Sequence, residues 1–401
     1  KINEVVTQPY DKITPEMQES YYNRSPYNFV RLILGKIYPD DNETNNRYTR
    51  AAKTLEEWIA NGILKEDSKE SFYVYHQEYE VDGIKKVRKG FIGRLKLEEF
   101  SSGVVLPHER TLSKPKEDRL RLLRATRAHL GQIFMLYPDE KNEVMKTFDD
   151  AIDGREPDIA TEESYEPGVI HRVWGVNDRN ILQEVESMMR EKTLLIADGH
   201  HRYETALNYS RENPDAKYVM VTFVSMHDPG LTILPTHRAV YGVNLDGFYE
   251  KLKRYFDVKD VSSLEEVEDN LRGKRHTFGL YTKDGFKLLV LRDKSVLDKF
   301  IKGEHSESWK NLDVNVLHSI IIEGLLGITK DMVARKEKIA YFRDAKQAIE
   351  GVKTGKFDAL FIMNPVSVNE LYEVVKYKEV MPQKSTDFYP KMISGLVIYK
   401  F

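Results

Sequence analysis

Apolar and polar positions follow one another along this chain in segments that predict strands and helices in alternation. Residues 44–61 carry apolar side chains at helical spacing and end at an Asn-Gly pair, which predicts an amphipathic helix. Residues 72–79 alternate in the manner of a strand, and the Asp-Gly pair that follows predicts the turn of a hairpin. The periodicities of a helix and of a strand therefore both occur within the first hundred residues.

The remaining patterns extend this alternation to the end of the chain. Residues 25–34 are expected to run from a turn into an apolar strand, and the polar residues 139–165 are expected to form an irregular connection. Further elements are expected as strands over 193–197, 218–225 and 359–363 and as helices over 116–134, 178–190, 203–212, 314–326, 345–353 and 367–376.

Strands that alternate with helices predict an α/β fold (mixed α+β). The pattern changes near residue 240 to shorter, charge-rich units. We therefore expect one domain over 1–235 and a smaller α/β domain over 236–401.

Composition excludes several classes of protein. The 61 Lys and Arg residues nearly balance the 64 Asp and Glu residues, for a net charge of −3, so no general attraction to nucleic acid or to an anionic membrane is expected. The chain has no cysteine, which excludes disulfides, thiolate nucleophiles and thiolate metal sites. No apolar run reaches the roughly 20 residues of a membrane helix, and a cytoplasmic location is expected.

The most informative segment is the turn Asp198-Gly199-His200-His201-Arg202, which follows a predicted buried strand. An Asp-Gly turn that opens into a helix presents backbone N–H groups and the positive end of the helix dipole to an anion. Arginine adds a forked donor and the histidines add imidazoles, so a phosphate or carboxylate ligand is expected. The structural alternative is a simple helix cap with two solvated histidines.

Other segments also carry polar side chains that a core does not require. An acidic residue after a rigid proline and a His-Glu pair in a loop are candidates for acid–base chemistry. The supporting candidates are cationic, imidazole or hydroxyl groups that suit a phosphate. These residues are Asp11; His108 and Glu109; Arg119; His237 and Arg238; and Lys384, Ser385 and Thr386.

The common catalytic templates are missing from the sequence. There is no Gly-rich phosphate loop ending in Lys-Ser/Thr, no G-x-G-x-x-G, no H-E-x-x-H and no G-x-S-x-G. Adjacent histidines on a helix point about 100° apart, so His200 and His201 are not expected to bind one metal ion together. A nucleotide site in this chain would have to be of a less usual kind.

Seven ordered motifs together resemble family 1015 of the domains of unknown function. The resemblance covers nearly the whole chain, and it implies one further strand ahead of the first motif, so we expect the N-terminus to be trimmed. The motifs lie at residues 8–11, 26–28, 108–111, 116–119, 198–203, 234–238 and 381–386.

The Asp-Gly-His-His-Arg turn also resembles the phosphate-contacting turn of the ParB and sulfiredoxin superfamily, which includes an ADP-dependent free-serine kinase. The resemblance implies a fold of that type for the N-terminal part and a catalytic carboxylate near the N-terminus, for which Asp11 and Glu16 are the candidates. The sulfiredoxin activity is excluded because its cysteine has no counterpart. ParB-type DNA binding is not expected, since no basic recognition helix is evident.

We therefore predict a nucleotide-dependent phosphotransferase for a hydroxylated metabolite, with ATP or ADP and Mg²⁺. Residues 198–202 would hold the phosphates, Asp11 or Glu109 would orient or deprotonate the hydroxyl, and Arg238 and Lys384 would offset charge in the transition state. The turn at 198–202, the pairs His108-Glu109 and His237-Arg238, and at least one of Asp11 and Lys384 are expected to line a single cleft. A nucleotide or anionic-metabolite sensor and an interaction protein remain alternatives, and the oligomeric state is left open.

Overall fold

The computed structural model describes residues 1–109 and 113–401, and they divide into two compact units. The first unit comprises Lys1–Pro107, residues 113–232 and Pro390–Phe401, whereas the second comprises His108, Glu109 and Ile233–Tyr389. The chain thus returns to the first unit at its end. Each unit is described separately below.

Strands and helices alternate along the described chain. The strands are β1 (Phe72–Val81), β2 (Ile84–Lys96), β3 (Val105–Leu106), β4 (Ala128–His129), β5 (Ile133–Tyr137), β6 (Ile159–Glu162), β7 (Ile170–Val176), β8 (Leu194–Asp198), β9 (Tyr218–Ser225), β10 (Thr232–Leu234), β11 (His237–Val240), β12 (Phe256–Val261), β13 (Thr277–Thr282), β14 (Gly285–Leu291), β15 (Ile339–Phe342), β16 (Ala359–Ile362), β17 (Asp387–Tyr389) and β18 (Tyr399–Lys400).

The helices are mostly short. They are α1 (Pro15–Arg24), α2 (Val30–Ile33), α3 (Arg47–Ala60), α4 (Ser113–Thr126), α5 (Glu143–Ile152), α6 (Arg179–Met189), α7 (His200–Glu212), α8 (Phe248–Lys253), α9 (Leu264–Leu271), α10 (Leu297–Phe300), α11 (Glu307–Lys310), α12 (Asp313–Val316), α13 (Lys330–Ala334), α14 (Ala345–Lys353) and α15 (Val368–Val375), with a π-helix at Leu317–Leu325. Short 3₁₀ turns lie at Ile2–Glu4, Tyr10–Lys12, Phe100–Ser102 and Lys294–Val296.

The first unit is built on an eight-stranded mixed sheet in the order β3-β8-β5-β9-β2-β1-β7-β6. The pairs β3–β8 and β5–β9 are parallel, and the other pairs are antiparallel. Helices α5, α6 and α7 bury apolar side chains, including Phe148, Val185 and Leu207, in the same core as the sheet. This core fixes the junction of β8 with α7, where the candidate turn lies.

The second unit is built on a six-stranded antiparallel sheet in the order β12-β14-β13-β16-β11-β15. Helices α9 and α14 supply the apolar side chains that pack against it, among them Val267, Ala348 and Ile349. Strand β15 is the last strand of this sheet and pairs only with β11 among the described strands. One edge of the sheet is therefore open in the described part of the chain.

The mixed α/β fold predicted from the sequence is confirmed. The hairpin of β1 and β2 turns at Asp82 and Gly83, both in the left-handed region, as the Asp-Gly pair predicts. Helix α6 begins at the Asp178 cap, whose Oδ1 accepts hydrogen bonds from two backbone N–H groups. Local signals of this kind were sufficient wherever a cap or a turn residue marked the element.

Three predicted elements are wrong. The helix expected over 116–134 ends at Thr126, because Arg127 adopts a left-handed conformation (φ 49°) and the chain then forms β4 and β5. The strand expected within 25–34 is the helix α2, which begins where Asn28 Oδ1 accepts from the Val30 N–H at 3.0 Å. The connection expected over 139–165 contains α5 and β6, since the few apolar residues of α5 all share a buried face.

Within the described residues, no helix is both long enough and apolar enough to cross a bilayer.

Candidate functional site

The Asp198 turn joins a buried strand directly to a helix. Strand β8 ends at Asp198, and Gly199 takes a left-handed conformation (φ 103°) that few other residues tolerate. A Cβ atom at position 199 would also lie 3.1 Å from Nη2 of Arg202. Helix α7 begins at His200, three residues earlier than predicted, so both histidines and Arg202 lie in its first turn, at the positive end of the helix dipole.

Two cations share the Asp198 carboxylate. Nη2 of Arg202 lies 3.5 Å from Oδ1, and Nζ of Lys391 lies 3.4 Å from Oδ2. The three side chains are only 28%, 16% and 10% exposed for Asp198, Arg202 and Lys391. Two cations thus contact one largely buried carboxylate at the start of a helix.

Burial opposes ionisation of Asp198, but the nearby cations outweigh it. Lys391 and Arg202, together with His200, hold the pKa of this carboxyl well below its usual range. The carboxylate is consequently ionised at neutral pH and remains a permanent partner for both cations.

Backbone groups hold Arg202 in place. Its Nη1 donates to the carbonyl oxygen of Gln132. A Cβ atom on Gly131 would lie 3.4 Å from Nη1, so the guanidinium runs close to this part of the backbone. The direction of the Arg202 side chain is thus fixed by contacts at both of its terminal nitrogens.

Lys391 is positioned by the segment 390–394, which lies against the sheet of the first unit. Arg88, Gln77 and Gln132 donate hydrogen bonds to three carbonyl groups of this segment, at 2.5, 2.9 and 3.0 Å. All three donors are buried. The segment therefore brings a cation from the end of the chain to Asp198.

Tyr10 and Asp11 lie in a 3₁₀ turn after Pro9. The guanidinium carbon of Arg119 lies 4.0 Å from the centroid of the Tyr10 ring, and Nη1 of Arg119 donates to the carbonyl of Ile33 at 2.8 Å. Burial raises the pKa of Tyr10, which Arg119 and Arg202 partly offset. Arg119 also pairs with its neighbour Asp118, whose carboxylate is shared with Arg47.

A cavity of about 60 Å³ lies beside these groups. Among the residues that line it are Tyr10, Arg119, Arg202 and Thr205. Small-molecule sites usually measure 300–1,000 Å³, so this space admits one group of a ligand rather than a whole nucleotide. Its walls nevertheless bring the N-terminal turn and the start of α7 together.

Electrostatic coupling connects His201 with Asp11. Burial lowers the pKa of His201, with further lowering by Lys116 and Arg202, whereas Glu204 and Asp11 raise it. Lys116 is itself paired with Glu204, at 2.7 Å between Nζ and Oε2. The exposed carboxylate of Asp11 is thus close enough to the first turn of α7 to influence His201.

The remaining candidate residues belong to the second unit. Nε2 of His108 is 2.9 Å from Oγ1 of Thr386, and the carbonyl of His108 accepts from the Met381 N–H at 2.8 Å. Glu109 forms an isolated parallel bridge with Met381. Ser385 donates its hydroxyl to a backbone carbonyl at 2.6 Å. Residues 108–109 thus contact the loop that carries Lys384, Ser385 and Thr386.

His237 and Arg238 are both buried in β11. Nδ1 of His237 accepts from the Met363 N–H at 3.3 Å, and burial lowers the pKa of the imidazole to about 4. Arg238 is 1% exposed and donates to the carbonyl of Lys384 at 3.1 Å. His237 is therefore a neutral, hydrogen-bonded core histidine.

Within each unit the structure brings several predicted residues together. In the first unit these are Asp11, Arg119 and the turn at 198–202, and in the second unit they are His108, Arg238 and the loop at 384–386. The expectation that candidate residues of both sets line a single cleft stays a prediction. Arg110 and Thr111 of the third motif lie outside the described residues.

Lys391 and its supports were missed by the sequence analysis. Lys391 follows Pro390 in a polar loop, where nothing in the local pattern distinguishes it from other lysines. Arg88 and Gln77 lie on strands whose alternation is consistent with a partly buried sheet. The available signal in the sequence was one polar residue, Gln77 or Arg88, on each of two strands that were expected to pair.

No group of three or more histidine and acidic residues in the described part of the chain is arranged to hold a metal ion. The cations, the helix start and the backbone N–H groups suit an anionic ligand instead.

Comparisons with known proteins agree with the motif resemblance. A family model described as "Protein of unknown function (DUF1015)" matches residues 1–315. No curated protein matches the chain.

Several solved structures are similar to the chain at low identity. One is a conserved hypothetical protein from Pyrococcus furiosus, at 18% identity over 77% of this chain and 95% of that one, with a TM-score of 0.38. Another is a free serine kinase in complex with AMP, at 18% identity over 74% and 86%, also with a TM-score of 0.38. A third is SbnI with C-terminal truncation from Staphylococcus aureus, at 13% identity over 76% and 85% and a TM-score of 0.38. Similarities this low carry no information about function.

Proposed function

The chain belongs to the family described as protein of unknown function (DUF1015), and we propose that it is a nucleotide-dependent phosphotransferase that acts on a small hydroxylated molecule. The observation that carries the proposal is the pair of cations on Asp198 at the start of α7. Arg202 and Lys391 contact Asp198 where the positive end of the helix dipole also lies. The two cations and the dipole would together stabilise an anionic group at this place.

The nucleotide phosphates would bind at the first turn of α7. Gly199 has no side chain that could cover the helix start, and the backbone N–H groups of a first turn have no partner within the helix. Arg202 would contribute a forked donor and Lys391 a point charge. When bound with the nucleotide, Mg²⁺ would neutralise part of the phosphate charge.

Asp11 is the proposed base in the first unit. The acceptor hydroxyl would lose its proton to the Asp11 carboxylate as its oxygen bonds to the transferred phosphorus, and the bond from that phosphorus to the leaving nucleotide oxygen would break. Asp11 is exposed, so a substrate can reach it. Its electrostatic coupling to His201 and Tyr10 supports a position close to the phosphate site.

A thermal-shift screen of ATP and ADP with Mg²⁺ tests the binding step, because a ligand that binds only the folded state raises the melting temperature. Arg202→Lys should reduce that shift. If neither nucleotide changes the melting temperature, the phosphate site is refuted.

Turnover with candidate acceptors then tests the chemistry. Asp11→Asn should reduce nucleotide-dependent turnover by about 100-fold or more while nucleotide binding stays equal or tightens. Asp40→Asn, at another exposed carboxylate near the N-terminus, is the matched control and should leave turnover unchanged. Nucleotide binding without any turnover would replace the kinase with a nucleotide or anionic-metabolite sensor.

A further inference from the structure

The open edge of the sheet in the second unit carries a cleft of about 670 Å³. Its lining includes the whole edge strand β15, three lysines and the rings of Tyr241 and Phe357. The volume falls within the usual range of small-molecule sites, about 300–1,000 Å³. Size alone therefore allows an organic ligand to occupy it.

The charge of this cleft has one sign. Lys336, Lys356 and Lys384 line it and are exposed, and no acidic residue is among the described lining residues. In the described part of the chain, none of the three ammonium groups lies within 4.0 Å of a carboxylate, whereas many other lysines are paired. Three unpaired cations around one cavity repel one another, and an anion would relieve that repulsion.

Two of these lysines occupy a conformation that favours glycine. Lys336 has φ 58° and Lys384 has φ 60°. Lys336 follows the end of α13, a position at which glycine is the common residue. A lysine there makes the backbone less favourable and supplies an ammonium group to the cleft.

The wall behind the lysines contains buried polar groups that lack partners. Tyr341 lines the cleft, and its buried hydroxyl has no hydrogen-bond partner among the described residues. The guanidinium carbon of Arg238 lies 5.6 Å from the centroid of the Tyr341 ring. Nε of Arg238 also lacks an acceptor among the described residues.

Arg238 has no carboxylate within ion-pair distance in the described part of the chain, although it is 1% exposed. In the described part of the chain, its guanidinium donates hydrogen bonds to two carbonyl oxygens and to the sulfur of Met363. A buried cation without an anion is costly, and burial lowers the pKa of Arg238 to about 10. Burial raises the pKa of Tyr341, which Arg238 partly offsets, and Glu109 raises it further, but Glu109 does not line the cleft. The wall therefore adds positive potential to the cleft.

We propose that this cleft binds a small aromatic anion, with its phosphate or carboxylate at the three lysines and its ring beside Tyr241. The exposed ring of Tyr241 offers a face for stacking, and its centroid is 6.3 Å from that of the buried Phe357. The site lies wholly within the second unit and does not depend on the function proposed for the α7 turn.

The experiment uses the full chain with phenyl phosphate and benzoate as probes and phenol as the uncharged control. Lysines are reductively methylated with and without probe, and each site is quantified by mass spectrometry. At about twice its Kd, a bound probe should slow methylation of Lys336, Lys356 and Lys384 about threefold, by mass action. Lys259, exposed on β12 at the opposite edge of the same sheet, should react at an unchanged rate.

Variants test which groups carry the binding. Lys356→Glu should weaken the binding of phenyl phosphate about tenfold, because it reverses one of three charges, whereas Lys259→Glu should not change it.

Three results would overturn the proposal. They are the absence of protection by either probe, protection by phenol equal to that by phenyl phosphate, and protection that extends to Lys259. Protection by an acidic peptide but by neither small anion would also overturn it and would indicate strand addition at β15. Protection by phenyl phosphate alone or benzoate alone supports the site and identifies its preferred anionic group.

Discussion

Replacing Lys391 with glutamine tests the charge balance on which the proposed phosphate site depends. The substitution removes one of the two cations on Asp198 and leaves a neutral pair with Arg202. The backbone around Lys391 should persist, because Gln77 and Arg88 bind carbonyl groups of the segment rather than the lysine side chain. Any effect should therefore come from the lost charge.

The magnitude follows from the distance and the burial. Two unit charges 3.4 Å apart, as Lys391 and Asp198 are, attract by ~5 kcal/mol at an effective dielectric of about 20 and by ~1 kcal/mol in bulk water. Desolvation of both groups offsets part of the larger value. We expect Lys391→Gln to lower the free energy of unfolding by about 2 kcal/mol at pH 7.

Lys400→Gln is the matched control for this measurement. Lys400 pairs with Glu56 at the same 3.4 Å, but the two side chains are 39% and 65% exposed. An exposed pair contributes little, so the control should cost about 0.5 kcal/mol or less. The two variants thus differ in burial and not in the length of the ion pair.

Chemical denaturation at several pH values and nucleotide titration provide the assay. The pKa of Asp198 is lowered in the folded state, so its ionised form stabilises the fold above its unfolded pKa of about 4, and this contribution is lost as the pH falls further. The stability difference between wild type and Lys391→Gln should shrink below pH 4. The affinity for ATP or ADP should fall about tenfold, as one positive charge is lost. Equal stability loss in both variants with unchanged nucleotide affinity would refute the reasoning.

Three further substitutions have expected outcomes. Arg202→Lys should weaken nucleotide binding by about 1–3 kcal/mol in a titration, because a point charge replaces a forked donor, and unchanged affinity would indicate a purely structural role. Asp228→Asn should stabilise the protein by about 1–2 kcal/mol at pH 7–8 and not at pH 4, because burial raises the folded pKa of Asp228 to about 6 and the cost of ionising it appears as the pH rises from about 4 through 6. Asparagine keeps the acceptor for the Gly230 N–H, and an equal gain in stability at both pH values would contradict this reasoning. Glu163→Gln should lower the free energy of unfolding by about 2–3 kcal/mol in denaturant titrations, because this fully buried carboxylate accepts three hydrogen bonds, and a loss under 0.5 kcal/mol would show that the amide replaces it.

The fold could be predicted where a cap or a turn residue marks an element. It could not be predicted where the apolar residues fit both a helical and a strand-like periodicity. Leu130, Ile133 and Phe134 satisfy helical spacing after α4, but the left-handed Arg127 ends the helix and all three side chains are buried around β5. Nothing in the sequence marks that conformation, since arginine is a good helix former. The sheet that buries these residues decided the outcome.

The candidate site shows the same division between local and distant information. The turn at 198–202 could be predicted because strand, glycine and helix are contiguous. Lys391 could not be predicted, because 193 positions separate it from Asp198. Only the path of the segment 390–394 along the sheet brings the two together.

The structure also changes which residues supply the positive charge of the site. The sequence suggested three adjacent cations, His200, His201 and Arg202. Burial lowers the pKa of His201, and Lys116 and Arg202 lower it further against the opposing effect of nearby carboxylates, so the neutral form of this imidazole predominates at pH 7. The structure instead adds Lys391 to Arg202 as a second cation on the Asp198 carboxylate. His201→Gln should therefore leave the affinity for ATP or ADP at pH 7 unchanged in a titration, and a loss of about tenfold would show that this histidine carries charge after all.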